Sequence, residues 1–330
     1  MYVLSSQRWG ANNVGRFLVK RLLSAIVTLW LLATIVFLLV NVLPSNVGRQ
    51  VLGGQAKEEL VKAYNKKLGT DRPVLVQYGK AMKNLSTLSF GDSYKSGVAV
   101  RKIIGPAMVR SGKLALLALL LTVPLAIAGG VFTARRQDKL ADRAVVVAGL
   151  ATSSTPEFVT AAILLSIFCV TWKFGKVFAN PPPGASILTQ LHYLIVPASA
   201  MAIVYLGYIV RMARAGVIGA LQTDYARTAT MKGLSQGTVM RRHLLRNALA
   251  PTITVISAQI GYLFGSIVGV EIVFNYAGLG SVLRDAVGNK DIPILSGGVL
   301  AVGIVYMIST LAADLLIAFL NPRIRLESSR

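Results

Sequence analysis

The sequence predicts an all-α, multi-pass membrane protein with about six transmembrane helices. Hydrophobic residues make up 54% of the 330-residue chain and charged residues only 15%, whereas soluble domains carry about 25% charged residues. Mean hydropathy is +0.61. Six runs are long enough to cross a hydrocarbon core of about 30 Å, which takes about 20 helical residues. They are Leu22 to Val42, Leu114 to Phe132, Ala144 to Val170, Tyr193 to Met212, Pro251 to Val273 and Ile294 to Leu320. Their apolar character is continuous, without a period of two, so spanning strands are excluded.

The first run follows Arg8, Arg16, Lys20 and Arg21, and such clusters stay on the cytoplasmic side. It is longer than a signal-peptide core and is followed by NVLPSN rather than a small-residue cleavage site, so it reads as a retained span. Arg135, Arg136, Lys139 and Arg143, then seven basic residues from Arg211 to Arg246, then Arg323, Arg325 and Arg330 fall on the same side. The short loops opposite hold Lys173, Lys176, Arg284 and Lys290, so both termini are expected in the cytoplasm.

Residues 44–113 would then be external despite thirteen Lys or Arg against four acids. Long translocated segments are largely exempt from the charge rule. Within this segment AKEELVKAYNKKLGTDRPVLVQYGKAMKNL reads as one or two short amphipathic helices broken by Gly69 and Pro73, a cap on the membrane surface.

Two later spans are not plain. The second holds Pro124 and Gly129-Gly130, and the third holds ATSSTPEFV, where Pro156 lacks the N–H that the helix ladder needs. Polar, helix-breaking residues at membrane depth are tolerated where they face protein or a water-filled cavity. Ser154, Pro156 and Glu157, with Gln259 of the fifth span, are therefore candidates for a translocation path. An intramembrane carboxylate costs about 2.5–3.5 kcal/mol on insertion scales, which marks Glu157 as functional unless it pairs with a helix-end cation such as Arg143. Asp314 lies within about two turns of Asn321, Arg323 and Arg325 and reads as a structural partner to them.

The net charge of +22 is spread over loops on both sides of the membrane, whereas nucleic-acid binding needs it on one face, so lipid headgroups are the better partner. The one cysteine, Cys169, sits in an apolar run, which excludes a disulfide framework. No His, Cys or acidic cluster has metal or nucleophile spacing, so no catalytic or metal residue is assigned and an embedded enzyme is disfavoured. His192 and His243 are isolated.

The most informative segment is DYARTATMKGLSQGTVMRRHLLRNALAP, Asp224 to Pro251, basic and helix-forming between two spans. Gly233 lets one short helix stop and the chain turn into another, since glycine alone takes left-handed conformations cheaply. A folded knob of this kind can seat in a partner's groove and pass on rigid-body motion.

This segment resembles the EAA motif of type I importer permeases of the ABC superfamily, in the dipeptide, oligopeptide and nickel branch. The matching residues are Tyr225, Arg227, Thr228, Ala229, Lys232, Gly233 and Leu234, followed by Arg242, His243, Leu245, Arg246, Asn247, Ala248 and Pro251. RFLVKRLLSAIVTLWLLATIVFLLVNVLPSN, LGTDRPVLVQY, LSFGDS, EIVFNYAGLGSVLRDAV, KDIPILSGG and LNPRIR resemble other parts of that branch in the right order. Thr230, Met231 and Ala277 depart from its pattern.

The resemblance implies a MetI-like core over 111–320 with a coupling loop at 214–250, preceded by the N-terminal span and external segment of 1–110 and followed by a tail of 321–330. It implies a second, homologous permease subunit, two ATP-hydrolysing subunits and an external solute-binding protein in a bacterial or archaeal cytoplasmic membrane. ATP and Mg would be bound by the ATPase subunits and no cofactor by this chain, which has no phosphate-binding GxxxxGK[ST] loop. Tyr225 to Leu234 would form the ATPase-coupling surface, with Ala229 and Gly233 held in the ATPase groove. Glu271, Phe274, Gly278 and Gly280 would form an outer gate or binding-protein contact, or a plain helix-ending turn. Peptides are the expected substrate, with nickel, oligosaccharides and opine-like compounds as alternatives. An ion-coupled secondary transporter using Glu157 is the competing mechanism.

Overall fold

The computed structural model describes residues 11–42, 46–240 and 245–320. The readings placed on Arg8, Arg241, Arg242, His243, Asn321, Arg323 and Arg325 fall outside them. Among the described residues, regular structure is helical apart from one isolated bridge between Asp92 and Ala99.

Helix α1 (Ala11–Val42) is followed by a cap of three short helices, α2 (Val47–Leu52), α3 (Glu58–Leu68) and α4 (Val74–Ser86). The break expected at Gly69 and Pro73 is present: Gly69 closes α3 at φ 75° and Pro73 precedes α4. Helix α2 was not anticipated, although Asn46 starts it by accepting the Arg49 N–H and Gly53 ends it at φ 91°. The cap rests on α1 through Tyr78, whose hydroxyl lies 2.9 Å from Thr34 Oγ1 and whose ring meets Phe37 edge-on. Its far end is tied down by Asp291, 2% exposed, which accepts from Ser93 Oγ and the backbone N–H groups of Tyr94 and Lys95. Burial, then the Asp291 charge, push the Tyr94 hydroxyl above its usual pKa, so it stays neutral.

Helix α5 (Val100–Arg135) starts well before the expected Leu114 and continues through Pro106 and Pro124. It packs most extensively on α8 (Ile187–Leu221). Leu114, Met201, Ile209, Leu263 and Ile267, each at most 2% exposed, form the centre of the core with α12 (Ala250–Val273). Lipid is as apolar as leucine, so close approach through small residues holds such helices together. Helix α6 (Leu140–Ser153) crosses α8 where a Cβ on Gly207 would lie 2.2 Å from the Gly149 carbonyl oxygen, so the backbones touch.

The third expected span is a broken one. Helix α6 meets α7 (Glu157–Leu164), which runs on as a π-helical turn to Thr171, at an angle of 102°. Pro156 sits at the joint as the residue before α7, where its missing N–H costs nothing. Among the described residues, five unbroken helices are long and apolar enough to span a membrane, and a sixth is counted if this pair is one span.

Beyond α8 come α9 (Asp224–Met231) and the short turns α10 (Gln236–Thr238) and α11 (Leu245–Ala248). After α12, the chain forms α13 (Leu279–Gly288) and ends the described region in α14 (Ile292–Leu320). Asp314 on α14 pairs with Arg21 of α1 at 2.8 Å, and the C-terminal partners expected for it lie outside the described residues. Because Ser111 near the start of α5 meets the α12–α13 turn and Ala134 near its end packs with α9, these two regions lie at opposite ends of the bundle.

Candidate functional site

The knob that follows α8 is built from its stem outward. Val217 and Ala220 of α8 pack with Ala134 of α5, with Ala226 and Ala229 of α9, and with Val239, Met240 and Ala248 beyond the turn. Small side chains let these short helices lie close to their stem. Helix α9 then stops as the sequence requires: Gly233 takes φ 77°, its N–H bonds to Thr230 O at 3.0 Å, and the Leu234 N–H reaches back to Ala229 O at 3.4 Å. This is a Schellman ending, in which a left-handed residue lets the chain satisfy the last carbonyls of the helix. Ser235 restarts the chain by accepting the Thr238 N–H at 3.3 Å.

Two faces result. Tyr225, Arg227, Thr228, Lys232, Gly233 and Leu234 are exposed, together with Met231 at 86%. Ala229 differs from its expected place in a partner's groove: at 8% exposure it packs inward and fastens the knob to its stem. A Cβ on Gly233 would meet nothing within 4 Å, so glycine is needed there for its backbone conformation alone.

The stem is locked from the side by an ion pair that sequence reading missed. Arg214 of α8 donates to Asp142 of α6 from Nε at 2.7 Å and from Nη2 at 2.6 Å, and Asp142 also accepts the Asp138 N–H at 3.0 Å. Asp142 is 2% exposed. Its one sequence signal is an acid among Arg135, Arg136, Lys139 and Arg143.

At the break between α6 and α7, Glu157 does not pair with Arg143. It accepts from the Tyr205 hydroxyl at 3.1 Å, and that hydroxyl lies 2.7 Å from Ser266 Oγ. Helices α7, α8 and α12 thereby meet at a polar point within the apolar core. Glu157 is half-buried, whereas Ser154 and Pro156 beside it are exposed, and Gln259 on α12 is partly exposed.

The opposite end holds a latch. Glu271 is fully buried and accepts from Ser111 Oγ, from the Gly280 N–H at 2.7 Å and from the Ser281 N–H at 3.3 Å. Ser111 Oγ in turn accepts the Leu279 N–H at 2.7 Å. A Cβ on Gly278 would lie 2.0 Å from the Glu271 carboxylate, so a side chain there would expel it. The Asn180 side chain bridges Asn275 O and the Ala277 N–H, and the Tyr276 hydroxyl donates to Arg110 O at 2.9 Å. Burial first, then the Glu271 charge, push the Tyr276 pKa up to about 12, which keeps it a donor. Glu271, Phe274, Gly278 and Gly280 are all buried, so they brace this turn from within and offer no side chain to an external partner. No group of three or more metal-ligating side chains occurs among the described residues.

An all-helical bundle with a broken span, and a knob built on the residues of a coupling motif, is what a transporter permease needs. Residues 126–326 match the family described as binding-protein-dependent transport system inner membrane component, and residues 14–110 match the N-terminal family of the same components. The chain belongs to this family. A putative peptide transport system permease protein of Brucella abortus is 32% identical over 310 residues, covering 94% of this chain and 99% of that protein. A dipeptide transport system permease protein of Alkalihalophilus pseudofirmus is 27% identical over 329 residues, covering 94% and 99%. A glutathione transport system permease protein of Escherichia coli is 31% identical over 309 residues, covering 94% and 98%. This permease is thus a transport component of the inner membrane with a MetI-like core, and not an enzyme. It works with ATPase subunits and a solute-binding protein.

Proposed function

We propose that this permease is one of two homologous membrane subunits of an ATP-driven peptide importer, with both termini cytoplasmic and two ATPase subunits bound beneath them. Residues 1–110 form the N-terminal span and external cap, 111–320 the translocating core and 321–330 a cytoplasmic tail. The exposed face of α9, from Tyr225 to Leu234, seats in an ATPase groove, and ATP with Mg is bound and hydrolysed there by the partner. Closure of the ATPase pair moves the knob, and the Asp142–Arg214 pair passes that movement from α8 to the broken α6–α7 segment. Ser154, Pro156, Glu157 and Gln259 face the path that opens to the binding protein. Peptides are the favoured cargo because the relatives that align along almost the whole chain are named for peptide, dipeptide and glutathione transport.

The observation that carries this reading is the knob itself, a small folded unit rooted by buried alanines yet showing Tyr225, Met231 and Leu234 to solvent. Exposed apolar groups on a rigid projection mark an interaction site. Proteoliposomes holding the full complex, supplied with binding protein and labelled peptide, test it. Gly233→Leu is expected to insert and assemble with the second permease but to lose ATP-dependent uptake by at least about tenfold, since the left-handed turn disfavours a side chain by about 1–2 kcal/mol. Uptake at the level of the unaltered complex would contradict the assignment.

A further inference from the structure

A cavity of about 880 Å³ opens between the external cap and the membrane helices α1 and α14, apart from the knob, the break and the latch. Its floor is apolar, formed by Ala33 and Phe37 of α1 and Leu300 of α14, and its roof carries Lys67, Arg72 and Lys80. Asp92 is the one carboxylate in its lining. None of the three cations makes an ion pair among the described residues, whose pairs are Arg21–Asp314, Arg49–Glu58, Arg214–Asp142 and Arg284–Asp285. A volume of this size lies in the range of ordinary ligand sites, about 300–1,000 Å³.

Two further observations fix the depth of the cavity. Its floor is continuous with the outer surface of α1, where Ile35, Leu38 and Leu39 are 54%, 50% and 64% exposed, as lipid-facing residues are. The first turn of α4, which begins two residues after Arg72, shows Val74, Leu75 and Val76 to the surroundings at 53%, 83% and 48%. An apolar turn beside cations, on a short amphipathic helix, is how an element lies in the headgroup layer of a bilayer. The cationic roof therefore sits at headgroup level and the apolar floor at acyl-chain level.

We propose that this cavity is a binding site for one anionic phospholipid, with its phosphate against Lys67, Arg72 and Lys80 and its chains along Ala33, Phe37 and Leu300. A lysine or arginine near a membrane surface favours anionic lipid, so three of them outweigh the opposing charge of Asp92. The lipid fills the space between cap and bundle, and holds the cap to α14 beside the tie that Asp291 makes.

The site is tested on the full complex, reconstituted in nanodiscs of mixed phosphatidylglycerol and phosphatidylcholine, released into detergent and weighed by native mass spectrometry. The unaltered chain is expected to retain phosphatidylglycerol over phosphatidylcholine by about tenfold or more. The triple variant Lys67→Glu, Arg72→Glu and Lys80→Glu brings that ratio to one, whereas the triple change to Lys67→Arg, Arg72→Lys and Lys80→Arg preserves it. The charge-preserving variant keeps the test informative if the reversal fails to assemble. Glycerophosphate, which has the phosphate but no chains, is expected not to displace the lipid. Equal retention of both lipids by the unaltered chain, undiminished preference in an assembled charge-reversal variant, or loss of preference in the charge-preserving one would overturn the proposal. So would displacement by glycerophosphate or by an acidic peptide, which would assign the cavity to a soluble anion or to a peptide.

Discussion

Replacing Arg214 by alanine is expected to destabilise the permease by about 3 kcal/mol, from the cost of stranding a buried carboxylate. Asp142 is 2% exposed, and its two bonds to the guanidinium are 2.7 and 2.6 Å long. Opposite charges about 4 Å apart attract by about 4 kcal/mol at an effective dielectric constant of about 20, a gross gain that the desolvation of both groups largely offsets. Breaking one half of such a pair costs about 3–5 kcal/mol. The low end applies because Asp142 would keep the Asp138 N–H at 3.0 Å, and because the Arg214 side chain is 23% exposed, which lets water reach the gap. Removing both charges is different. Asp142→Leu with Arg214→Met is expected to lie within about 1 kcal/mol of the unaltered protein, since apolar replacements of buried pairs are often neutral. Denaturation of the detergent-solubilised chain with rising dodecyl sulfate, followed by tryptophan fluorescence, gives both values and completes a double-mutant cycle. Peptide uptake separates stability from coupling: the stable double variant is expected to transport more slowly, because the α6–α8 link becomes non-directional. A cost below about 1 kcal/mol for Arg214→Ala would refute the argument that this pair locks the stem.

Other outcomes follow from the same geometry. Glu271→Leu leaves the Gly280 and Ser281 N–H groups unpaired and is expected to cost about 2–4 kcal/mol, with faster proteolysis of the turn at 275–281 as the readout. Gly207→Val places atoms against the Gly149 backbone and is expected to part α6 from α8, lowering thermal stability by about 1–3 kcal/mol. Tyr205→Phe removes the hydroxyl shared by Glu157 and Ser266, for a stability loss of about 1 kcal/mol, and is expected to change the rate of peptide uptake with no loss of complex assembly.

Much of the fold was legible because the bilayer imposes length and continuity on apolar runs. The break at Pro156 and the cap interrupted at Gly69 and Pro73 followed from backbone chemistry that proline and glycine carry wherever they stand. Helix ends were less legible: α5 begins at Val100, not Leu114, because its first turns are buried by Leu279 and Ile294, contacts that periodicity does not reveal. The knob could be read as a helix and turn from Gly233, yet which face turned outward depended on where Val217 and Ala220 stood. That is why Ala229 was expected at a partner surface and lies inside. Long-range polar pairs were hidden altogether. Asp142 and Arg214, Glu157 and Tyr205, Glu271 and Ser111, and Asp314 and Arg21 are brought together by helix packing, and the sequence shows only that each acid needs some partner.

Cysteine crosslinking along the knob tests the central claim, that α9 presents its outer face to the ATPase subunit. The chain holds one cysteine, Cys169, which is buried, so an introduced thiol reports with little background. Met231→Cys and Leu234→Cys, exposed at 86% and 37%, are expected to crosslink to the ATPase in the assembled complex, and Leu75→Cys on the external cap is not. Crosslinking from the cap but not from positions 231 and 234 would contradict both the docking face and the orientation of the chain.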